Sequence, residues 1–169
     1  MKKIMMSLAL IICAYVQPVL AQQTDLSLKF NKALTAYYTL KNALATDKTA
    51  EAGKLALVLG QAVNAVPHTG FSSDQQHKLW MQEAGTVKEH TAQLSAAKDL
   101  KTQRKNFEAI SKSFITLTEE LKMNTSTAYL QYCPMGKFSW LNEVKAIQNP
   151  YYGSEMYDCG SIKGTITKK

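Results

Sequence analysis

The sequence predicts an all-α protein: an up-down four-helix bundle with an irregular C-terminal segment packed against it. Three observations carry that prediction. Apolar residues recur at intervals of three and four in four successive stretches. Short polar or Pro/Gly-containing connections separate those stretches. From Thr125 onward the helical period stops, and Tyr, Pro, Gly and Asn become frequent.

The N-terminal MKKIMMSLALIICAYVQPVLAQQ stands outside the fold. Lys2 and Lys3 precede an almost wholly apolar run from Ile4 to Val16, and Val19-Leu20-Ala21 ends on a small residue. This is the pattern of an export signal, residues 1–21. The run is too short and too poorly flanked for a membrane span. Cys13 follows Ile12, whereas a lipidation site wants a small residue there, so a lipoprotein is the weaker reading. Cleavage leaves residues 22–169 as one domain, long enough for a real core. The expected location is periplasmic or secreted, where disulfides are permitted. Loss of Lys2 and Lys3, with no acid beside them, takes the formal charge from +7 to +5. The lysines are spread at helix-surface spacing without stacking aromatics, which argues against a nucleic-acid partner.

The first helical stretch, LSLKFNKALTAYYTLKNALATD, lines up Phe30, Leu34, Tyr37, Leu40 or Lys41, and Leu44. The second, AEAGKLALVLGQAVNAV, lines up Ala52, Leu55, Leu59, Ala62 and Val66, and Pro67 with Gly70 ends it. The third starts at Ser73, with Gln76 placed for a capping box. Its apolar face is Trp80, Ala84, Val87, Thr91 and Leu94. The fourth, N-capped by Asp99, repeats Phe107, Ile110, Phe114, Leu117 and Leu121. Four such stripes joined by short turns bury one another as a bundle.

The C-terminal segment, about 125–169, is too rich in aromatics for a disordered tail. It packs on the bundle through Tyr129, Tyr132, Phe138, Trp140, Leu141, Ile147, Tyr151 and Tyr152. SWLNEVKAI is read as a helical turn and YDCGSIKGTI as holding a short strand. Asn124-Thr125-Ser126 matches a glycosylation acceptor and is read as an unused match.

The segment also holds two sulfur pairs. Cys133 and Met135 flank Pro134, while Met156 and Cys159 lie between Gly153 and Gly160. If the chain folds back, four sulfurs converge, and thiolate with thioether donors selects Cu(I). Three other readings stand beside this one. The cysteines form a disulfide, whose loop of 26 positions is worth about 3 kcal/mol; they remain packed or redox-active thiols; or the methionines only fill the core. His68, His77 and His90 show no i, i+4 pairing and are read as surface or satisfied groups, with His90 best placed to reach the site from the bundle. No nucleophile elbow, P-loop or zinc-protease motif appears, and the protein is read as non-enzymatic.

YYTLKNALATD, QRKNFEAIS, YCPM at Tyr132–Met135, WLN at Trp140 and IQNPYYGSEMYDCG from Ile147 together resemble the domain of unknown function numbered 3347. That domain is found in exported Bacteroidetes proteins and at the end of some heavy-metal efflux periplasmic adaptors. The resemblance implies a periplasmic role with Cu(I) or Ag(I), Cys133, Met135, Met156 and Cys159 as ligands, and an efflux or envelope protein as partner. YCPM is also similar to a short heavy-metal motif, but Gly136-Lys137 replaces its His-Pro. The alternative expectation is an envelope interaction module stapled by a Cys133–Cys159 disulfide.

Overall fold

The computed structural model describes the backbone of residues 2–168 and the side chains of residues 24–168. The side chains of the expected export signal, Cys13 among them, lie outside the described residues. The four helical stretches form α1 (Lys2–Ala45), α2 (Thr49–Asn64), α3 (Asp74–Ala96) and α4 (Leu100–Leu121). Consecutive helices pack side by side. Among the described residues, no helix is long and apolar enough to cross a membrane.

The start signals act as their chemistry requires. Ser73 Oγ accepts from Gln76 N at 3.2 Å, and the Gln76 side chain reaches back to Ser72 N. Asp99 Oδ1 accepts from Thr102 N at 2.8 Å. Each bond satisfies an amide that the helix itself leaves unpaired. The expected stripes of α1, α3 and α4 are buried in full. On α2 the buried row is Ala52, Ala56, Leu59, Val63 and Val66, while Leu55 and Ala62 are only half-buried. Both rows fit a period of 3.6 residues, so spacing alone does not choose between them. Tyr37 of α1 stacks on Phe107 and Phe114 of α4, at 5.5 and 4.8 Å between ring centres.

The C-terminal segment departs from the all-α expectation. It forms a three-stranded antiparallel sheet in the order β2-β1-β3, with β1 Ala128–Cys133, β2 Phe138–Asn142 and β3 Ser161–Ile166. SWLNEVKAI is therefore strand through Asn142 and then irregular, not a helical turn. The short strand expected after Cys159 is β3. Leu130 pairs with Leu141 and Gln131 with Trp140, so opposite residues share a face. Leu130 and Leu141 lie on the helix side, where Leu141 N donates to Tyr37 Oη at 3.1 Å. Gln131 and Trp140 lie on the other side, under residues 143–160: Gln131 Nε2 donates to the carbonyls of Val144, Lys145 and Ala146, and Trp140 abuts Gly160. The sheet is thus a middle layer between bundle and loop. Asn124 is buried and donates to the Ser126 and Thr167 carbonyls, where it ties the end of α4 to the C-terminus.

Candidate functional site

The loop over the sheet is held by a small set of buried polar contacts. Asn149 Oδ1 accepts from Tyr151 N and Tyr152 N, which turns the chain at Asn149-Pro150. Asn149 Nδ2 donates to the Cys159 carbonyl at 2.9 Å. Gly153 adopts φ +57°, and a Cβ there would strike the Asp47 carboxylate and the Arg104 guanidinium. Those two groups form an ion pair. Asp47 also accepts from Ser154 N, and Arg104 donates to the Pro150 and Leu44 carbonyls. The α1–α2 turn and α4 thus clamp the loop that delivers Cys159.

Cys133 ends β1, and a four-residue turn, Pro134 to Lys137, leads into β2. The fold-back expected for the sulfur pairs occurs for the cysteines: their Sγ atoms stand 3.3 Å apart. They are two free thiols rather than a disulfide, so the staple is not formed in this structure. Cys133 is fully buried and Cys159 partly so. Burial pushes the Cys133 thiol up. The Gly136 and Met135 backbone N–H groups, the Cys159 thiol and the Asn149 amide outweigh that effect and hold Cys133 below the ordinary thiol value. Cys159 is pushed up, first by its hydrogen bond to Cys133, then by burial and by the negative charges of Cys133 and Asp158. The lowering at Cys133 and the raising at Cys159 make Cys133 the member of the pair that gives up its proton more readily.

The methionines take different places. Met135 sits in the turn with its side chain 69% exposed, and its contribution at Cys133 is a backbone N–H. Met156 is half-buried, and its carbonyl accepts from Cys159 N at 3.1 Å. His90 does not approach the thiols: its Nδ1 pairs with Asn106 Oδ1 at 2.9 Å on the bundle. Among the described residues, no three His, Cys, Asp or Glu side chains gather as a ligand set. Besides turning the chain, the Asn149 amide faces the Cys133 sulfur, a role that no spacing rule encodes.

Behind the sheet lies a second buried network. Lys41 is fully buried on α1. Its Nζ donates to Asn142 Oδ1 at 2.5 Å and Gln148 Oε1 at 2.8 Å, and stands 3.3 Å from Glu143 Oε2. Burial lowers its pKa to about 8, against the opposing pull of Glu143. Tyr37, Ser111 and the Ser139 carbonyl form a further chain of hydrogen bonds that locks β2 to α1 and α4.

Fold and site together define a helical-bundle protein that carries a paired-thiol centre on an appended sheet. The model of a family described as a protein of unknown function (DUF3347) matches residues 33–126. That span is more than half of the chain, and the protein belongs to this family. The match covers most of the bundle and ends before the sheet. No curated protein and no solved structure matches the chain.

Proposed function

We propose that the protein is an exported binder of soft metal ions, Cu(I) or Ag(I), which it takes as cargo at Cys133 and Cys159. The observation that carries this reading is the pair of sulfurs 3.3 Å apart, with the Cys133 thiol held below its ordinary value by surrounding hydrogen-bond donors. A polarizable thiolate pair favours soft d¹⁰ ions over hard ones. Metal–sulfur bonds of about 2.3 Å would require the pair to open, and the partly exposed Cys159 is the member free to move. Met135 and Met156 lie within three residues of a cysteine in the chain and are the candidate third donors. The efflux context implied by the family resemblance agrees with such a role and points to an envelope protein as the recipient.

Native mass spectrometry under reducing conditions after addition of Cu(I) or Ag(I) tests the reading. Cys133→Ser is expected to lower the number of bound ions by one. In the unaltered protein, one equivalent of ion is expected to shield both thiols from alkylation. An unchanged ion count together with unshielded thiols would sink the proposal.

The same contact supports a second reading, a helical interaction module in which the thiols are oxidised to a staple. Air-oxidised protein with no titratable thiol, which still takes up no metal after reduction, would favour it over the first.

A further inference from the structure

The α2–α3 connection brings together a different set of soft donors. His68 follows Pro67 in the turn, and His77 and Met81 stand one helical turn apart on α3. His68 Nδ1 lies 3.0 Å from Met81 Sδ. The His68 and His77 rings meet edge to face with centres 6.1 Å apart. Phe71 stands 5.4 Å from His77 and 6.3 Å from Trp80, which gives the cluster an aromatic wall. His77 Nε2 is shielded from solvent and makes no hydrogen bond among the described residues. A buried nitrogen left in that state is desolvated without compensation, and a ligand on it would remove that cost. Met81, by contrast, is 45% exposed and His68 is exposed, so the cluster opens to solvent on one side.

We propose that His68, His77 and Met81 form a second soft-ion site, selective for Cu(I) or Ag(I) and independent of the thiol pair. The donor types make the selection. A thioether favours soft ions, whereas imidazole suits copper and zinc, and ions that accept both are Cu(I) and its heavier congener. No oxygen donor belongs to the set, so Mg²⁺ and Ca²⁺ gain nothing from it. All three donors are neutral and none is a thiol. The site therefore binds more weakly than a thiolate pair and survives its oxidation. Metal–nitrogen and metal–sulfur bonds of about 2.0 and 2.3 Å hold the two atoms further apart than 3.0 Å. His68 and Met81, both exposed, can separate to admit the ion.

The test is Ag(I) titration, in chloride-free buffer, of the protein carrying Cys133→Ser and Cys159→Ser, with bound ions counted by native mass spectrometry. One Ag(I) per chain is expected. Adding Met81→Leu, which alters an exposed side chain of similar volume, is expected to weaken binding at least tenfold. Should the thiol-free protein fold poorly, the unaltered protein answers the same question by NMR: Ag(I) in excess of the thiols shifts the ring resonances of His68 and His77 and the Met81 methyl, but not the ring of His90. No ion on the thiol-free protein, or equal affinity after Met81→Leu, or unshifted His68 and Met81 resonances, overturns the site. None of those results touches the thiol reading, which rests on the ion lost with Cys133→Ser.

Discussion

Lys41 is a wholly buried cation whose three partners, Asn142, Gln148 and Glu143, all come from the C-terminal segment. Its ammonium is therefore both a tether and a cost. The folded-state pKa is lowered from 10.5 to about 8. Between those values the unfolded chain binds more protons than the folded one, so this residue makes stability rise with pH across that window. Integrated over the window the rise is about 3 kcal/mol. Tyr37 and Tyr38, which lie beside Lys41 and feel the charge of Glu143, have raised pKa values, chiefly through burial, and so act in the opposite direction above their ordinary value of 10.0. Urea unfolding from about pH 7.5 to 9.5 stays below the tyrosines, and the Cys133 and Cys159 thiols, whose ordinary value is 9.0, are common to the two proteins compared. The unaltered protein should gain stability relative to Lys41→Met as pH rises; parallel curves would show that Lys41 does not titrate in this range. The sequence allowed either Leu40 or Lys41 on the stripe, and both are buried. Periodicity alone could not disclose this, because the lysine is buried only by virtue of amide and carboxylate partners about a hundred residues away.

The helices and the sheet differ in how openly the sequence shows them, and the reason is exposure. Each helix has one buried stripe and one wet face, so its period is visible; every expected position on α1, α3 and α4 is buried. β1 and β2 are covered on both sides, by helices and by the 143–160 loop, which erases the polar alternation that marks a half-exposed strand, while the edge strand β3 is largely exposed. Gln131, Asn142 and Asn149 are polar yet fully buried, satisfied by backbone groups of the loop they hold. The thiol approach was legible as a possibility of spacing. Its cause, the clamp made by Asp47, Arg104 and Gly153, was not. That clamp gives a prediction for the loop as a unit. Gly153→Ala requires a side chain both at positive φ and inside the Asp47–Arg104 pair. It should destabilise the fold by about 2–4 kcal/mol and speed alkylation of Cys133, whose shelter depends on the docked loop. Hydrogen exchange should rise in 143–160 before it rises in α2 and α3. Uniform loss of protection, with no preference for the loop, would mean that the clamp is not what docks it.

For the molecule as a whole, the thiol pair joins two layers that also meet through polar contacts and through Tyr151, which packs on Phe138 and Trp140: Cys133 belongs to the sheet and Cys159 to the returning loop. An ion bound by both sulfurs exists only when loop and sheet are docked, so binding is linked to folding of the entire C-terminal segment. At a free ion concentration 100-fold above the dissociation constant, linkage supplies about 2.7 kcal/mol, which for a chain of this size raises Tm by about 5–10 °C. Cys159→Ser removes one of the two anchors without emptying the buried Cys133 position, and should abolish most of that rise while leaving the ion-free Tm within about 2 °C. The His68–Met81 cluster bridges only the α2–α3 turn, so whatever ion it takes stabilises the bundle and not the loop. Thermal scans in a Trp80→Phe background, where Trp140 of the sheet is the remaining tryptophan, read by fluorescence and by far-ultraviolet dichroism, dominated by the helices, separate the two effects. Loading of the thiols should raise the fluorescence transition at least as much as the helical one. A rise seen equally in Cys159→Ser would place the stabilising ion elsewhere than between sheet and loop.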